Sequence, residues 1–73
     1  MDTGMLWVRN ERTEINDAAR QAIQHYIQKY GPPPLILEVS YADVEQVKLP
    51  KEMKVVVHAV HLPSQHFLIG RDL

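Results

Sequence analysis

VVVHAVHLPSQHFLIG, residues 55–70, is the stretch whose reading decides the fold. Two apolar runs flank Pro63, Ser64 and Gln65, residues that favour a chain reversal. Read as a β-hairpin with a loop over residues 62–65, the stretch sets His61 opposite His66, Val60 opposite Phe67, Ala59 opposite Leu68 and His58 opposite Ile69. Opposed Cβ atoms then lie about 4.5–5.5 Å apart. In that register Val56, His58, Val60, Leu62, Phe67 and Ile69 share one face. Val55, Val57, Ala59 and Leu68 share the other, with His61 and His66 toward the turn.

Working outward, residues 35–41 (LILEVSY) alternate Leu35, Leu37, Val39 and Tyr41 with Ile36, Glu38 and Ser40. This is the period of a strand with one strongly apolar face. Residues 42–52 form a polar connection with room for a short strand around residues 44–49. Before the three prolines at 32–34 the period changes to that of a helix. Ile15, Ala18, Ala19, Ala22, Ile23, Tyr26, Ile27 and Tyr30 fall on one arc of about 140° over residues 14–30. Lys29 lies within the arc, near the helix end. Thr13 is the expected cap, with Asn16 in the place of the Glu or Gln of a capping box. Gly31 is a good residue to leave the helix, and the prolines forbid its continuation. Residues 5–9 (MLWVR) have the composition of a first strand.

The expected fold is therefore α+β. One amphipathic helix packs on a small, mostly antiparallel sheet in the order β–α–β–(β)–β–β, the first strand and the bracketed one being the least marked. The 73 residues make a single domain, with residues 1–4 expected to be a flexible N-terminus. A domain of this size buries only about 60% of its unfolded surface, so it needs a further source of stability. The chain has no Cys, which removes disulfides and thiolate zinc sites and fits a reducing compartment. The N-terminal ten residues lack the charged and apolar regions of a leader peptide. The apolar run at 55–62 is broken by His58 and His61 and is too short to span a bilayer. The expectation is a cytoplasmic protein with no membrane contact.

The chemical candidates are few. His61 and His66 are the residues with a claim on a metal ion, but two ligands fall short of the three or four that zinc takes. No spacing points to a third from Glu38, Asp43, Glu45 or His25. The expectation is no metal and no cofactor. A Ser-His-Asp reading from Ser40 or Ser64 with Asp43 has no G-x-S-x-G elbow to support it. The three glycines at 4, 31 and 70 are isolated, so no phosphate-cradling loop is present. No catalytic residue is assigned, and the protein is expected not to be an enzyme. Nucleic-acid binding would draw on Trp7, Arg9 and Arg12, or on Lys48, Lys51 and Lys54. Glu11, Glu14, Glu45 and Glu52 are interleaved with those cations, and the net charge is −1; a phosphate footprint needs clustered cations.

What remains is a small interaction or regulatory module acting through protein–protein contacts, first of all with its own copy. The alternatives are a nucleic-acid-binding regulator and a small His-based metal-binding protein. Strands apolar on both faces need cover on both sides, and one helix covers one. A homodimer built through the sheet supplies the second cover, with Trp7, Val57 and Phe67 as expected interface anchors.

Overall fold

The computed structural model describes residues 4–71. The elements are β1 (Gly4–Val8), α1 (Ile15–Tyr30), β2 (Ile36–Ser40), β3 (Val56–Val60) and β4 (His66–Gly70). They form one helix and one four-stranded sheet, an α+β arrangement. Of the expected flexible segment, residues 1–3 lie outside the described residues, and Gly4 is the first residue of β1.

The strand order is β1-β4-β2-β3. β4 runs antiparallel to both β1 and β2, so β1 and β2 are parallel to each other with β4 inserted between them. β3 lies outside β2 and parallel to it. β3 and β4 follow one another in sequence yet do not pair, which corrects the hairpin. His66 is the register partner of Val8, and His61 lies beyond the end of β3 with its ring 5.0 Å from that of Tyr41. Sequential strands are neighbours in most sheets. Here the chain leaving β3 steps past β2, which places β4 between β1 and β2, where Phe67 and Ile69 have neighbours on both sides and are fully buried.

The face pairing changes with the topology. Phe67 stands between Trp7 and Val39, and Ile69 between Met5 and Leu37. Val57 and Ala59 continue those rows on β3. Phe67, Ile69, Leu37 and Val39 are all 0% exposed and form one core with Ile15, Ala18, Ala19, Ala22 and Tyr26 of the helix. Three alanines on the helix stripe let the backbone come close to the large side chains of the sheet. Ile27 and Tyr30 belong to the same arc but are 38% and 40% exposed. A 16-residue helix is about 24 Å long, whereas five-residue strands reach about 17 Å, so the last turn overhangs the sheet.

The segment between β2 and β3 is not a strand. Residues Val44–Gln46 and Lys51–Met53 are 3-10 turns. Val44 and Val47 are three apart, the spacing of such a turn, and Val47 is buried while Val44 and Leu49 pack against the core. Asn16 of the helix holds this segment: its Nδ2 donates to the Gln46 carbonyl at 3.1 Å, and the Lys48 N–H donates to its Oδ1 at 2.6 Å. Both crossovers, the helix and residues 41–55, thus run over the same face of the sheet.

The helix cap is Glu14, not Thr13. Its Oε2 accepts from the N–H groups of Asn16 at 2.9 Å and Asp17 at 3.2 Å. Thr13 sits one residue too early and donates its own N–H to the Asn10 carbonyl. Gly31 leaves the helix at φ +94° and donates to the Ile27 carbonyl at 2.8 Å, a conformation that favours glycine.

The Asn16 N–H, followed by the Asp17 N–H and the Asn16 side chain, holds the Glu14 carboxyl below its ordinary value of 4.5. A depressed carboxylate adds stability that is full above its unfolded pKa and is lost as the pH falls through the folded one. Wild type is therefore expected to be more stable than Glu14→Gln near neutrality. The gap between the thermal melts of the two proteins is expected to narrow as the pH falls below 4.5 through the lowered folded value; a gap that is constant with pH contradicts the capping role.

Candidate interaction surface

With both crossovers on one side, the other face of the sheet carries three transverse rows. Gly4, Gly70, Ile36 and Val56 form the first, and Leu6, Leu68, Glu38 and His58 the second. In the third, Val8 stands beside His66 on one side of the sheet and Ser40 beside Val60 on the other. Leu6 and Val8 are 56% exposed and Val56 is 53%. Leu68, Val60, Glu38, His58 and His66 are half-buried, and Ile36 and Ser40 are closed off. This surface is mostly apolar, with the polar pair Glu38 and His58 toward its β3 edge and Ser40 and His66 in the third row, and none of these residues is a Lys or Arg. Contiguous exposed apolar surface of this kind marks interaction sites.

The expected anchors lie elsewhere. Phe67 is fully buried in the core, and Trp7 and Val57 pack against that core from the helix side. Trp7 stacks on His25 of the helix, with ring centroids 4.6 Å apart. The reversal follows from the hairpin register, which joined Val56, His58 and Val60 to Phe67 and Ile69. In the sheet those β3 residues share a face with His66 and Leu68 instead. The side chains open to a partner are Leu6, Val8, Val56 and Leu68, and a period-two reading of residues 4–8 alone identifies the first two as one face of β1.

The remaining candidates take structural positions. Asp43 is 4% exposed. It accepts from the Gln65 N–H at 2.8 Å and, at a long 3.4 Å, from the Ser64 hydroxyl. His66 Nδ1 faces the Ser64 carbonyl at 3.0 Å. The Ser64 hydroxyl therefore addresses a carboxylate and not an imidazole, so the three residues are not arranged for nucleophilic attack. They clamp the turn before β4, where Gln65 adopts φ +70°. Arg9 turns back to the Thr13 carbonyl, and Lys48, Lys51 and Lys54 are exposed along the β2–β3 segment, away from the open face. Among the described residues there is no cavity able to enclose a ligand. No group of three His, Asp or Glu side chains within them is placed to hold a metal ion. No helix among the described residues is long and apolar enough to cross a membrane. Comparison with family models, with curated proteins and with solved structures finds no match to this chain.

The clamp gives a measurable expectation. Removing a buried acceptor leaves the Gln65 N–H without its partner, so Asp43→Ala is expected to lower unfolding free energy by about 1–3 kcal/mol in urea denaturation. Ser64→Ala is expected to cost less than about 0.5 kcal/mol, as a surface change with only long contacts. Equal costs for the two variants would show that the hydroxyl, not the backbone N–H, is the partner that matters.

Proposed function

We propose that this chain is a non-enzymatic protein-interaction module that self-associates through the open face of its sheet. The observation that carries the reading is that the helix and the β2–β3 segment both run over one side of the sheet, leaving Leu6, Val8 and Val56 exposed and Leu68 half-exposed on the other. Face-to-face packing of two such sheets, about 10 Å apart, buries these side chains against their own copies. A second copy also offers a 73-residue domain the additional burial that its size denies it. The face supports this reading over nucleic-acid binding because its polar groups are a carboxylate and imidazoles, with no cation to meet phosphate.

Area sets the expected strength. Four strands of five residues project roughly 19 by 17 Å. That is a small interface beside the standard of about 800 Å² per partner, and it corresponds to micromolar and not nanomolar association. Light scattering from about 10 µM to about 1 mM is expected to show the mass rising from the 8.4 kDa of one chain toward twice that value. Leu6→Asp and Leu68→Asp, each placing a charge in the buried centre, are expected to hold the mass at one chain while leaving the circular dichroism spectrum unchanged. A wild-type mass of one chain throughout overturns the reading. A dimer that survives both substitutions assigns association to the free edges of β1 or β3 and overturns the use of this face.

A further inference from the structure

Glu38 and His58 are the polar pair in the central row of the open face. They are register partners on the parallel strands β2 and β3, and both are half-buried. Ile36 and Ser40 flank Glu38 along β2, Val56 and Val60 flank His58 along β3, and Leu68 lies across from Glu38 on β4. Among the described residues neither side chain has a hydrogen-bond or ion-pair partner; the ion pair within them joins Arg20 to Asp17. A carboxylate and an imidazole are thus held side by side on an apolar surface, open to solvent and without a partner from the described residues. Their Cβ atoms are about 5 Å apart, a span that one ion bridges with bonds of about 2.0–2.2 Å.

One chain supplies two ligands and a second copy supplies two more. This step rests on the open face being the self-association surface. A two-fold axis relating two sheets face to face must lie in the plane between them. If it runs along the strands between β2 and β3, Glu38 meets the partner's His58, but β1 and β4 hang free and Leu6, Val8 and Leu68 stay bare. An axis along the strands between β4 and β2 covers the whole face, but it buries each Glu38 against the partner's Leu68 and each His58 against the partner's Leu6, where a polar group without a hydrogen-bond partner is costly. If it runs across the strands along the row Leu6, Leu68, Glu38 and His58, every strand lies over its own copy, the whole face is covered and the polar groups meet one another. Leucines then meet leucines at one end of the row. At the other end two carboxylates and two imidazoles converge.

Without a cation that register sets two carboxylates against each other in a water-poor interface, where like charges are costly. Two carboxylates, two neutral imidazoles and one divalent ion sum to zero charge. The geometry points to a zinc-class transition-metal site on the dimer axis, made by Glu38 and His58 of both copies. Mixed nitrogen and oxygen donors, four in number, suit zinc and its neighbours. Calcium and magnesium take six or more oxygens.

The test uses the full chain without a histidine tag, first in chelator and then with zinc chloride. The expected result is one zinc per two chains by elemental analysis and a dimer dissociation constant at least about 10-fold lower than in chelator, the smallest effect that even supporting residues of metal sites show. Glu38→Gln and His58→Asn are expected to abolish zinc retention, to melt as wild type does in chelator, and to dimerise there no more weakly than wild type. His61→Asn with His66→Asn is expected to keep the zinc. Cobalt(II) in place of zinc is expected to give the intense visible bands of a four-coordinate ion in wild type, a readout that needs no variant. A dimer that retains no zinc once zinc chloride is supplied, zinc bound at one per chain, or zinc kept by both Glu38→Gln and His58→Asn overturns the metal site and leaves the self-association reading standing. A single-chain mass in chelator and in zinc alike overturns both.

Discussion

β4 is hydrogen-bonded along both edges, and its alternate side chains Phe67 and Ile69 stand in the core. The rest of the structure depends on that placement. β4 between β1 and β2, antiparallel to both, makes those strands parallel, so the chain crosses once through α1; β3, parallel to β2, requires the second crossing through residues 41–55. Both crossings use the same face, joined by the two hydrogen bonds of Asn16. Sixteen helical residues and two 3-10 turns are then spent on one side of the sheet. The other side carries neither.

The legible parts of the sequence were those whose pattern is local. The helix shows itself because Ile15, Ala18, Ala19, Ala22, Ile23 and Tyr26 repeat at its own period and Gly31 stops it. β2 shows itself through the alternation of Leu37 and Val39 with Glu38. The order of the strands is a different kind of information. A turn at residues 62–65 reverses the chain whether or not β3 and β4 pair, so local signals are the same for a hairpin and for a strand that steps over β2. Asp43, read as part of a polar connection, is buried because its carboxylate holds the Gln65 N–H across more than twenty residues, and no short-range pattern encodes that contact. The strand expected near Val44 and Leu49 failed for a visible reason. Val44 and Val47 are spaced by three, not two.

The anchors differ for a related reason. The hairpin register sets Val57 and Phe67 on opposite faces, whereas in the sheet both lie with Trp7 on the core side. With the parity corrected, the surface is made of smaller contributions, Leu6, Val8, Val56 and Leu68, around Glu38 and His58. A face of this composition gives modest affinity from its apolar area, and its polar pair gives a reason for one register over another, since an unsatisfied charge in the wrong place costs more than the area around it returns.

The most direct measurement of the central claim is an NMR dilution series that follows every backbone amide from millimolar to micromolar concentration. The account predicts concentration-dependent shifts concentrated on Leu6, Val8, Glu38, Val56, His58 and Leu68 and their strand neighbours, with the exposed helix residues Arg20, Gln24 and Gln28 unmoved. Shifts confined to the helix, or a spectrum that does not change on dilution of a protein with the mass of one chain, would contradict it.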